Sequence, residues 1–131
     1  MIALDTNVLV RFLVEDDAAQ SRAATAVITR AGRTDEPLFV SDIVLCEVVW
    51  VLSASYAAPK GEIVAAIRKL LHARQLAFRA SDVLVRALES YAAGTGDFAD
   101  YVVQEDARAA GCDSVLTFDK ALLKEPGFGR P

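Results

Sequence analysis

Four short runs, at residues 1–4, 38–40, 76–80 and 113–117, are spaced through the chain between longer helical stretches. The first is apolar until Asp5, the pattern of a buried parallel strand. Between the runs, apolar positions recur at helical spacing. Ala18, Ala23, Ala24, Val27 and Ile28 mark a helix over 16–31, ended by Gly32. Ile63, Ala66, Ile67, Leu70 and Leu71 mark another over 60–71, after the break at Ala57-Ala58-Pro59. Ser81 and Asp82 are placed to cap a helix running to about residue 93. The stretch 97–110 reads as a helix closed by Gly111 just past its end. Residues 8–13 form a helical turn, a short helix follows Asp119-Lys120, and 125–131, rich in glycine and proline, reads as loop. This alternation predicts an α/β protein with a parallel sheet flanked by helices.

One stretch departs from the amphipathic pattern. In 41–52, SDIVLCEVVWVL, every residue from Ile43 to Leu52 is apolar except Glu47. Ser41 or Asp42 supplies the N-cap oxygen of a helix. A helix apolar on all sides is a buried helix, so Glu47 is expected inside the protein or on a cleft floor. An ionised carboxylate there needs a cation. Glu47 is then either a structural glutamate, capped or salt-bridged, or a metal ligand that requires other carboxylates nearby.

Composition limits what the chain can be. Its 131 residues make one domain, 1–131, and 53% hydrophobic content supplies a real core. No apolar run reaches the length of a membrane span, and the N-terminus lacks signal-peptide character. A cytoplasmic protein with no membrane partner is expected. Cys46 and Cys112 fit no zinc spacing and are expected as buried reduced thiols. The net charge of −4 disfavours indiscriminate nucleic-acid binding. It leaves room for a metal-dependent nuclease, because bound cations reverse the local field. His72 is the only histidine and sits on a surface-facing helical stretch. Acid–base work is therefore expected from carboxylates and an activated water.

The carboxylates fall in a pattern. Ligands of open α/β sheets bind beyond the carboxyl ends of the strands. Asp5 follows the first strand and Asp119 the fourth. Asp97 and Asp100 are three apart, on one face of the first turn of their helix. With Glu47, these segments deliver acids to one rim of the sheet. Oxygen-only donors suit Mg²⁺ or Mn²⁺. Two such ions about 4 Å apart activate a water and stabilise the leaving oxygen of a phosphodiester. Each acid also has a plainer role: Asp5 and Asp97 as helix caps, Asp119 as a turn residue. Arg11, Lys120 and Lys124 neighbour these acids in sequence, as phosphate contacts or as solvated surface charges.

The strings LDTNVLVRFL, SDIVLCEVVWVL, GDFADYVV and GCDSVLTFDKAL, in this order, resemble the motifs of PIN-domain proteins, and in particular VapC-type toxins of bacterial toxin–antitoxin pairs. The resemblance implies a three-layer α/β/α fold with a central parallel sheet of four to five strands. It implies an endoribonuclease dependent on Mg²⁺ or Mn²⁺ whose metal-binding and catalytic acids are Asp5, Glu47, Asp100 and Asp119. Asp97 matches a frequent extra acid and stays open between cap and ligand. Thr6, Asn7 and Thr117 match polar residues that support the carboxylates. Tyr101-Val102 departs from the pattern, where many relatives have a small residue and then Leu or Ile. The family also implies RNA as substrate, a cognate VapB-type antitoxin and a homodimer. Two other readings keep the fold: an RNA-processing nuclease that is not a toxin, and a catalytically weak module that binds metal or RNA. A phosphatase of another doubly wound class is disfavoured, because Asp5-Thr6-Asn7 lacks the second aspartate such enzymes show.

Overall fold

The end of the first apolar run at Asp5 sets the geometry of the N-terminal unit. The structure, a computed structural model, describes residues Met1–Pro131. Two compact units divide the chain, Met1–Arg79 and Ala80–Pro131.

In Met1–Arg79 the run 1–4 lies beside β1 (Leu38–Phe39) through a parallel bridge between Ala3 and Phe39. The Leu4 amide donates to the Phe39 carbonyl at 2.9 Å and the Phe39 amide to the Ile2 carbonyl at 2.8 Å. On its other side β1 pairs in parallel with β2 (Leu76–Ala77), Leu38 opposite Leu76. Four helices complete the unit: α1 (Thr6–Leu13), α2 (Ala18–Ala31), α3 (Asp42–Ala54) and α4 (Lys60–His72). Their starts follow from short polar side chains. Asp5, Asp17 and Ser41 accept from the amides of Thr6, Gln20 and Val44. Helix α1 packs on α2 and α3, and α3 on α4. Leu9, Val40, Leu45, Val48, Ile63 and Ile67 are fully buried between these elements. Each contributes about 1.5–3 kcal/mol by leaving water. Ala57, with φ of 50°, takes a left-handed turn that reverses the chain before Pro59 and α4.

Ala80–Pro131 contains α5 (Ser81–Ala93), α6 (Phe98–Ala109), β3 (Val115–Leu116), a 3-10 helix (Leu122–Lys124) and β4 (Phe128–Gly129). Helices α5 and α6 bury Val83, Leu84, Ala87, Leu88, Tyr91 and Phe98. The rings of Tyr91 and Phe98 meet edge to face at 6.0 Å. Helix α6 ends as its sequence predicts. Gly111 has φ of 90°, its amide donates to the Arg108 carbonyl and that of Cys112 to the Ala107 carbonyl. This paired bonding is a Schellman closure that a β-carbon at Gly111 would strain.

All strand pairing is parallel, as the alternation predicts. Several local expectations need correction. Residues 125–131 are not all loop, since β4 pairs with β3, Val115 opposite Phe128. A two-residue strand leaves no period in a sequence. Ser81 lies inside α5, whose N-cap position is Ala80. Glu47 is exposed, not buried. Helix α3 buries only one stripe, Leu45, Val48, Val49 and Leu52, and turns Ile43, Glu47 and Trp50 outward. An unbroken apolar run does not reveal which of its faces a helix covers. Cys112 is also exposed, because the turn after Gly111 carries it outward, whereas Cys46 is partly buried on α3. No helix is long and apolar enough to cross a membrane.

Candidate active site

The N-terminal unit holds Asp5 and Glu47 together through Thr6. Asp5 caps α1, its Oδ1 accepting from the Thr6 amide at 2.8 Å. The plainer role foreseen for Asp5 is thus real, and it occupies one carboxylate oxygen. Thr6 is buried and its hydroxyl donates to Glu47 Oε2 at 2.7 Å. One threonine therefore anchors an oxygen of each acid, from the backbone on one side and the side chain on the other. Asn7 is exposed and faces the groove between α1 and α2.

The C-terminal unit groups Asp97, Asp100 and Asp119. Asp97 is the N-cap residue of α6, and its amide donates to Asp100 Oδ2 at 2.8 Å. Asp119 Oδ1 accepts from the amides of Ala121 at 2.9 Å and Leu122 at 3.3 Å, capping the 3-10 turn. Its own amide donates to the Thr117 hydroxyl at 3.1 Å. Thr117 thus shapes the Asp119 turn. Burial pushes the Asp100 carboxyl above the usual aspartate range. The Asp97 amide pulls it down, while the charges of Asp97, Asp119 and Glu125 push it further up. These acids share one local field.

Each of Asp5, Glu47, Asp100 and Asp119 has one carboxylate oxygen engaged by an N–H or O–H donor, and the second takes no hydrogen bond within its unit. The ion pairs of the C-terminal unit join Arg86 to Asp82 and Glu105, and Arg108 to Glu105. None of these ion pairs within the unit engages Asp97, Asp100 or Asp119. Oriented, under-compensated oxygen donors are the chemistry that a hard divalent cation accepts, each carboxylate giving one oxygen. Within neither unit do three such side chains already form a closed ligand cluster. His72 is exposed at the end of α4, its Nδ1 2.8 Å from the Arg68 carbonyl oxygen. Arg11 is already committed, with Nε donating to Gln20 and Nη1 to Asp16 and Tyr56.

In the C-terminal unit, Glu105 and Glu125 take structural roles that carry no sequence signal, and Tyr101 is marked only by its departure from the family pattern. Glu105 is buried with both oxygens paired, by Arg86 at 3.2 Å and Arg108 at 2.8 Å. Tyr101, the departure from the family pattern, is buried in α6. Its hydroxyl lies 2.7 Å and 2.6 Å from the two oxygens of Glu125 and accepts the Gly96 amide at 2.9 Å. Burial first, then Glu125, push this phenol up, so it acts as a donor. Such contacts join residues 24 apart, beyond any local pattern. The unusual tyrosine was the only clue.

No curated protein matches the chain. The PIN domain profile matches residues 2–128, through both units and all the acids described above. PIN domains have a three-layer α/β/α fold, which six helices and parallel strand pairs fit, and are generally metal-dependent nucleases. By this match over nearly its whole length, the chain belongs to the PIN domain family.

Proposed function

We propose that this protein is a Mg²⁺- or Mn²⁺-dependent endoribonuclease, the toxin of a VapBC-type toxin–antitoxin pair. The observation that carries the reading is the half-anchored state of Asp5, Glu47, Asp100 and Asp119. These four hold the cation, and Asp97 serves as the cap of α6 or as an extra ligand. When bound, the cation supplies Lewis-acid activation of water and neutralises charge on the phosphodiester. Thr6 and Thr117 keep the acids oriented. The substrate is single-stranded or looped RNA, whose backbone is open to attack. The motif resemblance supports the toxin assignment, a VapB-type antitoxin partner, a homodimer and a cytoplasmic location. The family match across 2–128 supports a single functional domain over 1–131.

The test is to incubate the purified protein with RNA, with and without Mg²⁺ or Mn²⁺, beside its Glu47→Gln variant. The RNA ends are then sequenced, and cleavage is repeated with the product of the neighbouring gene. Cation-dependent cuts with 5′-phosphate ends, lost in Glu47→Gln and suppressed by the neighbour's product, are expected. The amide is nearly isosteric, so the fold persists while the charge is gone. Undiminished cleavage by Glu47→Gln overturns the site.

A further inference from the structure

The C-terminal unit contains a circuit of bonds that runs from the Asp119 turn through Glu125 and Tyr101 to the loop just before Asp97 and Asp100. Asp119 Oδ1 caps the 3-10 turn, and the Leu123 amide donates to the Asp119 carbonyl at 3.1 Å. The Glu125 amide closes that turn on the Leu122 carbonyl at 2.9 Å. The Glu125 side chain then grips Tyr101 of α6 and accepts the Thr95 amide at 3.1 Å. Tyr101 in turn accepts the Gly96 amide, one residue before the Asp97–Asp100 pair. The circuit needs the loop to come very close. A β-carbon on Gly94 would overlap the Tyr101 hydroxyl and stand 2.5 Å from Glu125 Oε1. One on Gly96 would stand 2.7 Å from Leu122 Cδ2.

We propose that the Tyr101–Glu125 contact is the spacer that sets Asp119 against Asp97 and Asp100, making Tyr101 and Glu125 positioning residues for cation binding. Glu125 itself is unlike the four acids, because the tyrosine hydroxyl lies within hydrogen-bond distance of both its oxygens and Thr95 claims Oε1 again. It is built to hold the frame. A change at Tyr101 that spares its packing should therefore weaken the cation far more than the fold. This inference rests on the nuclease reading for its purpose but not for its geometry.

The experiment uses the full chain and Mn²⁺ alone as probe. The midpoint of Mn²⁺ binding to the folded protein, from equilibrium titration at fixed temperature, and the Tm without metal are measured for the parent, Tyr101→Phe, Glu125→Gln and Glu125→Ala. Amide hydrogen exchange at Thr95 and Gly96 is followed beside it. Tyr101→Phe should shift the midpoint to about tenfold higher Mn²⁺ or more, the usual effect of removing a residue that orients a ligand. Exchange at both amides should quicken. Glu125→Gln keeps one acceptor oxygen for Tyr101 and Thr95 and should fall between the parent and Glu125→Ala. A Tyr101→Phe protein with lower Tm but the parent's Mn²⁺ midpoint is only a clamp and overturns the proposal. If that variant does not fold, equal midpoints in Glu125→Ala and the parent overturn it. A parent that responds to Mn²⁺ through this circuit yet cuts no RNA sinks the nuclease reading and leaves the spacer standing.

Discussion

Thr6 and Glu47, 41 residues apart, are joined by a 2.7 Å hydrogen bond from the threonine hydroxyl to Oε2. Because the Thr6 amide also holds Asp5, this residue couples the cap of α1 to an acid on α3. Thr6→Val keeps the shape and removes the hydroxyl. Glu47 is exposed, so water replaces the lost donor and the stability cost is small, about 1 kcal/mol. Activity should fall about tenfold or more, since Glu47 is no longer oriented. Urea unfolding and cleavage rates measured together check this; a variant as active as the parent shows that Thr6 only packs.

Asp100→Asn should cost much more cleavage than Asp97→Asn, because asparagine caps a helix nearly as well as aspartate. Stability moves the other way. The folded Asp100 carboxyl binds its proton more tightly than it does in the unfolded chain. Its contribution therefore becomes unfavourable as pH rises from the ordinary aspartate range through the raised folded value. Without metal, Asp100→Asn should melt above the parent at neutral pH, and the gain should disappear in acid. Melting curves from pH 3 to 8 decide it, and a gain that persists in acid points to packing.

If Asp5, Glu47, Asp100 and Asp119 hold a cation as proposed, the folded chain binds it far better than the unfolded one, where the acids are scattered. Mn²⁺ should raise Tm, with about 2.7 kcal/mol of added stability at a hundredfold excess over Kd. The rise should shrink strongly in Asp5→Asn. Ca²⁺ should stabilise while supporting little cleavage, since it prefers more ligands and looser geometry. A melt that ignores millimolar Mn²⁺ removes support for the shared-ion reading.

The two thiols should label at very different rates. Burial, then the charge of Asp42, push the Cys46 thiol up to about 11. At pH 8 only about one molecule in a thousand then carries the thiolate. Cys112 is exposed. Iodoacetamide should modify Cys112 first in the folded protein and reach Cys46 only on unfolding, as read from peptide masses. Early modification of Cys46 contradicts its burial.

The sequence shows the helices well because their signals are local. Gly111 marks the end of α6, and its positive φ is the reason. Ser41 marks the start of α3, and its hydroxyl makes the cap. What lay beyond local reading were faces and distant partners. The run at 43–52 hid an outward stripe, because periodicity disappears when every position is apolar. Glu105 looks like an ordinary surface acid until Arg86, from another helix, closes over it. Among the acids, position in the motifs was legible, but which oxygen each one spends on its own backbone was not.

The parallel pairing of β3 with β4 has a consequence for the order in which the chain is made. The Val115 amide bonds to the Gly127 carbonyl and the Thr117 amide to the Gly129 carbonyl, so the frame beneath Asp119 is fastened by residues translated after it. A chain cut short at Leu123 contains every acid of the proposed site. It lacks Glu125 and the strand that steadies Thr117. Such a fragment would have the acids without the proposed spacer, and the frame around Asp119 would close only once residues 125–129 had been made.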